Sequence, residues 1–110
     1  MKNDTGARGL KFDSQKPDMS LLSSIAVYKI AEVMTYGKKK YTAHNWRGGI
    51  AYSRLIAAAF RHLFAYLGGE NTDPESGLSH LAHAVCCLMM LLEQEVTRPE
   101  MDDRYKQEIK

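Results

Sequence analysis

From Leu81 to Leu92 the chain is apolar on nearly every side of a helix, and no other feature limits its fold as strongly. A helix that is hydrophobic all round belongs in a membrane or at the centre of a bundle. The unbroken apolar run, Ala84 to Leu92, is far shorter than the about 20 residues of a membrane span. A central bundle helix is therefore expected, with Leu81, Val85, Leu88 and Leu92 as its inward stripe. Neither period-two alternation nor a β-branched run marks a strand anywhere. The predicted class is all-α, an antiparallel bundle of three to four helices in one domain.

Punctuating residues divide the 110-residue chain. Residues 1–19 are polar and carry Gly6, Gly9 and Pro17, which predicts an irregular arm. Residues 20–96 form the helical core. Ser20, or alternatively Asp18, suits the N-cap of a first helix running to about Tyr36, with Gly37 as its C-cap. Leu22, Ala26, Ile30 and Val33 share one face of it. A basic and aromatic connection, residues 37–51, is loosened by Gly48-Gly49. A second helix is expected from about Tyr52 to Leu67, stopping at Gly68-Gly69. Its inward face is Ile56, Ala59, Phe60, Leu63 and Leu67, with Arg54 and Arg61 on the other side. Asp73-Pro74 has the form of an N-cap followed by proline at the first helical position, so a third helix is expected from there to about Val96. Residues 97–110 are charged and predict a surface helix or a tail.

Composition narrows the function. Fifteen basic side chains against thirteen acidic ones leave a net charge of +2, without the strongly basic face of a nucleic-acid binder. Cys86 and Cys87 are adjacent and make no disulfide framework, which fits a reduced, cytoplasmic protein. The segment MKNDTGARGLKFD has no apolar h-region, so no signal peptide is expected. A domain this small gains from association with further copies, and a dimer or tetramer is expected.

The densest polar group is Glu70, Asp73, Glu75, His80 and His83. Carboxylates gathered beside a helix N-terminus suit Mg²⁺ or Mn²⁺. The plainer reading makes Asp73 a cap, Glu75 a first-turn charge and the histidines polar points on a packed helix. His80, His83 and Cys87 also fall at i, i+3 and i+7, but a fourth zinc ligand has no source. Arg54 and Arg61, with small Ala58 between them, form a face able to grip phosphate or simply a solvated basic face. His62 lies nearer the core side. In the connection, Lys40 can neutralise phosphate while Tyr41 and Trp46 can stack on a base; Trp46 equally suits a loop anchor. Glu32 is the lone acidic residue of the first helix. Lys11, Asp13 and Lys16 alternate in charge along the arm.

Four segments in order, GLKFDSQKPDMSLL, YGKKKYTAHNWRGGI, SRLIAAAFRHLFAYLGGE and DPESGLSHLAHAVCCLMMLLE, together resemble the phage and prophage dATP/dGTP diphosphohydrolase domain. This is a MazG-like member of the all-α NTP pyrophosphatases. The resemblance implies cleavage of a deoxynucleoside triphosphate to the monophosphate and pyrophosphate, with Mg²⁺ or Mn²⁺ held by carboxylates of paired helices in an oligomer. Carried over, it makes Glu70, Asp73 and His80 the catalytic group. It makes Glu70, Asp73, His80, His83 and Glu32 the metal ligands. Lys40, Arg54, Arg61 and His62 fall to the phosphates and neighbouring substrate groups. Tyr41, Asn45 and Trp46 contact base or sugar, and Lys11, Asp13 and Lys16 close over the nucleotide. The partner is a small nucleotide, with no nucleic acid and no membrane. The first helix carries Glu32 alone where MazG-type chains have an ExxE pair, and Glu70 to Asp73 has the ExxD spacing across a turn. A nucleotide binder without catalysis, or a helical interaction module, are the competing readings.

Overall fold

The computed structural model describes residues 9, 10, 12 and 14–106. Among them are three α-helices, α1 (Ser24–Lys40), α2 (Tyr52–Leu67) and α3 (His80–Thr97). Short 3₁₀ turns lie at Met19–Leu21, Asn45–Gly48 and Pro99–Met101. The all-α expectation holds, and so does the central place of α3. Both other helices run antiparallel to it, one on each side. The end of α1 lies near the start of α3, where Tyr36 meets His83. The start of α2 lies by the end of α3, where the Tyr52 hydroxyl donates to the Gln94 carbonyl at 3.0 Å.

Caps explain the helix limits. Ser23 Oγ accepts the Ala26 N–H at 3.1 Å and starts α1. Neither expected cap does this: Asp18 instead accepts the Ser20 N–H and hydroxyl, closing the 3₁₀ turn before the helix. Gly37 does not end α1, which runs one further turn to Lys40 before Tyr41 donates its N–H to the Gly37 carbonyl. Three lysines in that last turn oppose the negative end of the helix dipole and favour the extension. Helix α2 has the predicted bounds, but Ala51 before it offers no capping oxygen. The Asp103 carboxylate supplies it from a distance, accepting the Ser53 N–H at 2.9 Å and the Ser53 hydroxyl at 2.6 Å.

Helix α3 begins later than Asp73-Pro74 suggests. Ser79 is its cap, with Oγ accepting the Ala82 N–H. Asp73 caps a turn instead: its Oδ2 accepts the Ser76 N–H at 2.9 Å. The chain reverses at Gly77, which has φ +71°. The Thr72–Ser79 bridge and the bond from the His80 N–H to the Asn71 carbonyl close the reversal. A local cap signal is thus used by a turn that returns the chain onto α2.

The core departs further from expectation. Between α1 and α3 it consists of Val33, Ala82 and Cys86, with Ile30, Met34 and Leu78 packed around them. Helix α2 buries Tyr52, Leu55 and Ala59. The predicted α3 stripe, Leu81, Val85, Leu88 and Leu92, is exposed throughout, as are Leu22 of the first predicted face and Phe60, Leu63 and Leu67 of the second. Helices approach closely over small side chains, so Ala82, Ala84, Cys86 and Cys87 take the contact positions of α3. The larger apolar groups point away from this single chain. No helix among the described residues is long and apolar enough to cross a membrane.

Candidate metal centre

The reversal between α2 and α3 gathers side chains from three places. Helix α2 carries His62 into its last two turns, the loop supplies Glu70, Asp73 and Ser76, and the first turn of α3 supplies His80 and His83. The His62 and His80 Nδ1 atoms face each other at 2.9 Å. On its other side, His80 Nε2 bonds to Glu70 Oε1 at 2.7 Å. His83 lies flat against His62, with ring centroids 4.5 Å apart and planes inclined by 7°. His83 Nε2 bonds to Ser76 Oγ at 2.8 Å and stands 4.0 Å from Asp73 Oδ2. One donor atom from each of His62, Asp73 and His80 lies within 4.8 Å of the others. His80 is buried, while His62 and Asp73 are half-buried.

The electrostatics suit cation binding. Burial lowers the pKa of His62 below the ordinary histidine value of 6.5, helped by the neighbouring His83 and His80. Burial also lowers that of His83, against the opposing charge of Asp73. Both rings therefore favour the neutral form that offers a lone pair. Burial pushes the Asp73 carboxyl upward, but its bonds from Ser76 outweigh this and hold the group below its usual 3.8. The carboxylate thus stays ionised beside neutral imidazoles.

A second network ties this loop to α1. Glu75 Oε2 accepts from the Tyr36 hydroxyl at 2.6 Å and from Lys40 Nζ at 2.7 Å. The Lys40 bond is the largest influence lowering the Glu75 pKa. The Tyr36 ring meets His83 edge-on, with centroids 6.4 Å apart. Tyr36 was not singled out from the sequence. Its place on the Ile30–Val33 helix gave it the look of an end residue, and only the return of the 73–78 loop puts Glu75 against it.

The other expected site residues lie apart. Glu32 is not in the His62–Asp73–His80 group; it lines an open cleft of about 420 Å³ along α1 with Tyr28, Thr35, Tyr36 and Lys39. Arg54 and Arg61 are exposed on α2 and make no ion pair among the described residues. Tyr41 is exposed with Lys40 Nζ 5.6 Å from its ring centre. Asn45 is exposed at the start of a 3₁₀ turn. Trp46 is buried, with the Arg47 guanidinium 4.4 Å over its ring. Lys16 is exposed. Lys11 and Asp13 lie outside the described residues.

The family model for the N-terminal part of dATP/dGTP diphosphohydrolases matches residues 6–104. The chain belongs to this family. A dATP/dGTP diphosphohydrolase of Salmonella phage PMBT28 is 36% identical over 96 residues, covering 87% of this chain. The chain spans 33% of the length of that phage protein. No solved structure matches the chain. The diphosphohydrolase family match takes in the whole loop cluster, from His62 to His83, together with α1 and the Asn45–Gly48 turn.

Proposed function

We propose that the chain hydrolyses dATP or dGTP to the monophosphate and pyrophosphate at the α2–α3 turn, with a divalent cation such as Mg²⁺ or Mn²⁺. The observation that carries this reading is the convergence of His62, Asp73 and His80 in a chain of the diphosphohydrolase family. The donor set fits a cation: two imidazoles, of which His62 is held toward its neutral form by burial, beside a carboxylate held ionised. Such an ion supplies positive charge to offset the phosphate oxygens and to orient the attacking water.

The chain's own groups do the rest. His62, Asp73 and His80 would hold the ion, with Glu70 and His83 beside them. A carboxylate of this group takes the proton of the water that attacks the α-phosphate. Arg54 and Arg61, exposed and unengaged among the described residues, serve the phosphates. Lys40 joins them on leaving Glu75. Tyr41 and Asn45 stand at the edge of the 41–48 turn, where base or sugar can reach them, while Trp46 fixes that turn to the core. Glu32 enters this scheme only as a group on the neighbouring α1 cleft.

The substrate is a free nucleotide rather than nucleic acid, in keeping with a net charge of only +2. The working unit is a homo-oligomer, a dimer or tetramer, acting in the cytoplasm of the phage's bacterial host. The exposed apolar side chains support this assembly: Leu92 is 68% exposed and Phe64 67%. The radius of gyration, 18.3 Å, exceeds the about 13 Å of a closed 100-residue domain. Replacing Leu88 and Leu92 with Glu is expected to lower the mass seen by sedimentation.

The deciding experiment is pyrophosphate release from each dNTP and NTP, with Mg²⁺, Mn²⁺ or EDTA. Metal-dependent release from dATP or dGTP is expected. A folded sample that releases nothing from any nucleotide refutes the reading.

A further inference from the structure

The geometry points to a nitrogen-rich seat for a first-row transition-metal ion, held by His62, His80 and Asp73, in which Glu70 orients His80 instead of binding the ion. This rests on the cluster being the metal centre of the proposed hydrolase, and it changes which residues do what there.

His80 has two ring nitrogens with two different partners. Nε2 lies 2.7 Å from a Glu70 carboxylate oxygen, so Nε2 carries the proton and donates it. Nδ1 is then left with its lone pair, aimed at His62 Nδ1 2.9 Å away. Carboxylates that accept from the far nitrogen of a ligating histidine fix its tautomer and raise its basicity. Glu70 is in that position, on the nitrogen away from His62.

The spacing of the two Nδ1 atoms suits one ion. Nitrogens each about 2.1 Å from a metal and at right angles to one another lie about 3.0 Å apart. Without an ion, His62 Nδ1–H donates to His80 Nδ1 across the same spacing; when metal enters, that proton moves to His62 Nε2 or to solvent, and the two rings turn so that both lone pairs meet the ion. Asp73 completes a two-histidine, one-carboxylate set. Such sets favour Fe²⁺ and its neighbours, whereas Mg²⁺ prefers oxygen donors and keeps its waters. His83 does not join: its Nε2 is engaged by Ser76, and its ring is stacked under His62, which it holds in place.

The test uses the full chain, without nucleotide, titrated with Mn²⁺, Co²⁺ and Mg²⁺ by calorimetry. Pulsed electron-spin measurements on the Mn²⁺ form report directly on nitrogen ligands. Mn²⁺ is expected to bind at least about ten-fold more tightly than Mg²⁺, since it is the weakest of the transition ions in the general affinity order and still has two imidazoles to use. Its spectrum is expected to show imidazole nitrogen couplings. His62→Ala is expected to weaken Mn²⁺ and Co²⁺ binding sharply and to remove one coupling. Glu70→Gln is expected to keep both couplings and lose about 10–100-fold in affinity.

Equal affinity for Mg²⁺ and Mn²⁺, no Mn²⁺ binding by the folded chain, or Mn²⁺ without nitrogen coupling each overturns the inference, and none of these three readouts needs a variant. Nitrogen-coupled Mn²⁺ in a chain that releases no pyrophosphate would instead retain the seat and remove the hydrolase reading.

Discussion

Gln94 pairs with Ile50 as one strand pairs with another. Its side-chain oxygen accepts the Ile50 N–H and its side-chain nitrogen donates to the Ile50 carbonyl, both at 2.8 Å. Gln94 is 0% exposed, and its own carbonyl accepts from Tyr52. One α3 side chain thus satisfies both backbone groups of Ile50, two residues before α2, and fixes the 45–51 segment that carries Trp46.

Gln94→Leu is therefore expected to destabilise the chain by about 2–4 kcal/mol, since it strands both an N–H and a carbonyl away from water. Urea denaturation measures this. Gln94→Glu keeps the acceptor but sets a buried carboxylate oxygen against the Ile50 carbonyl, so it is expected to cost at least as much at neutral pH and less once that carboxyl takes up a proton and can donate. Equal stability of Gln94→Leu and the parent chain would show that water replaces the clamp.

Gly49 sits at φ +113°, and a Cβ added there would come within 3.1 Å of the Met101 side chain. Gly49→Ala combines an unfavourable backbone conformation with a displaced neighbour and is expected to cost about 1–3 kcal/mol. Gly49→Ala in a Met101→Ala background removes the collision and leaves the backbone strain. Thermal melts of both variants separate the two contributions.

Stability of the metal-free chain depends on pH through His62 and His83. Both have folded pKa values below the unfolded 6.5. The unfolded chain therefore binds more protons between the folded values and 6.5. Their stabilising contribution is complete above 6.5 and is lost as pH falls through the folded values. Denaturation midpoints in the presence of chelator are expected to drop across that window. In His62→Gln the drop is expected to be shallower.

Burial pushes the Cys86 thiol up to about 12, and burial also raises that of Cys87. Neither forms a thiolate at neutral pH, so both are expected to resist iodoacetamide in the folded chain. Mass spectrometry should find labelling only as the chain unfolds. Rapid labelling of the native chain would mean that α3 opens locally.

The helical class, the bounds of α2, the central place of α3 and the clustering of acidic residues with histidines were legible in the sequence, because helix periodicity and glycine stops act locally. The choice between competing local signals was not. Asp73-Pro74 has the form of a helix start and becomes a turn, since the loop must return to pair Asn71 and Thr72 with His80 and Ser79. Asp103 caps α2 from some fifty residues away. Packing also reversed the core: the sequence marks Leu81, Val85, Leu88 and Leu92 as apolar, but close helix contact selects Ala82, Ala84, Cys86 and Cys87. The site follows the same division. Residue types alone named Asp73, Glu70, His80 and His83 as one group, because they are near in sequence. Only tertiary structure brought His62 from the preceding helix against His80, and set Glu70 on the far nitrogen of that ring, because a hydrogen bond's partner depends on distance in space rather than along the chain.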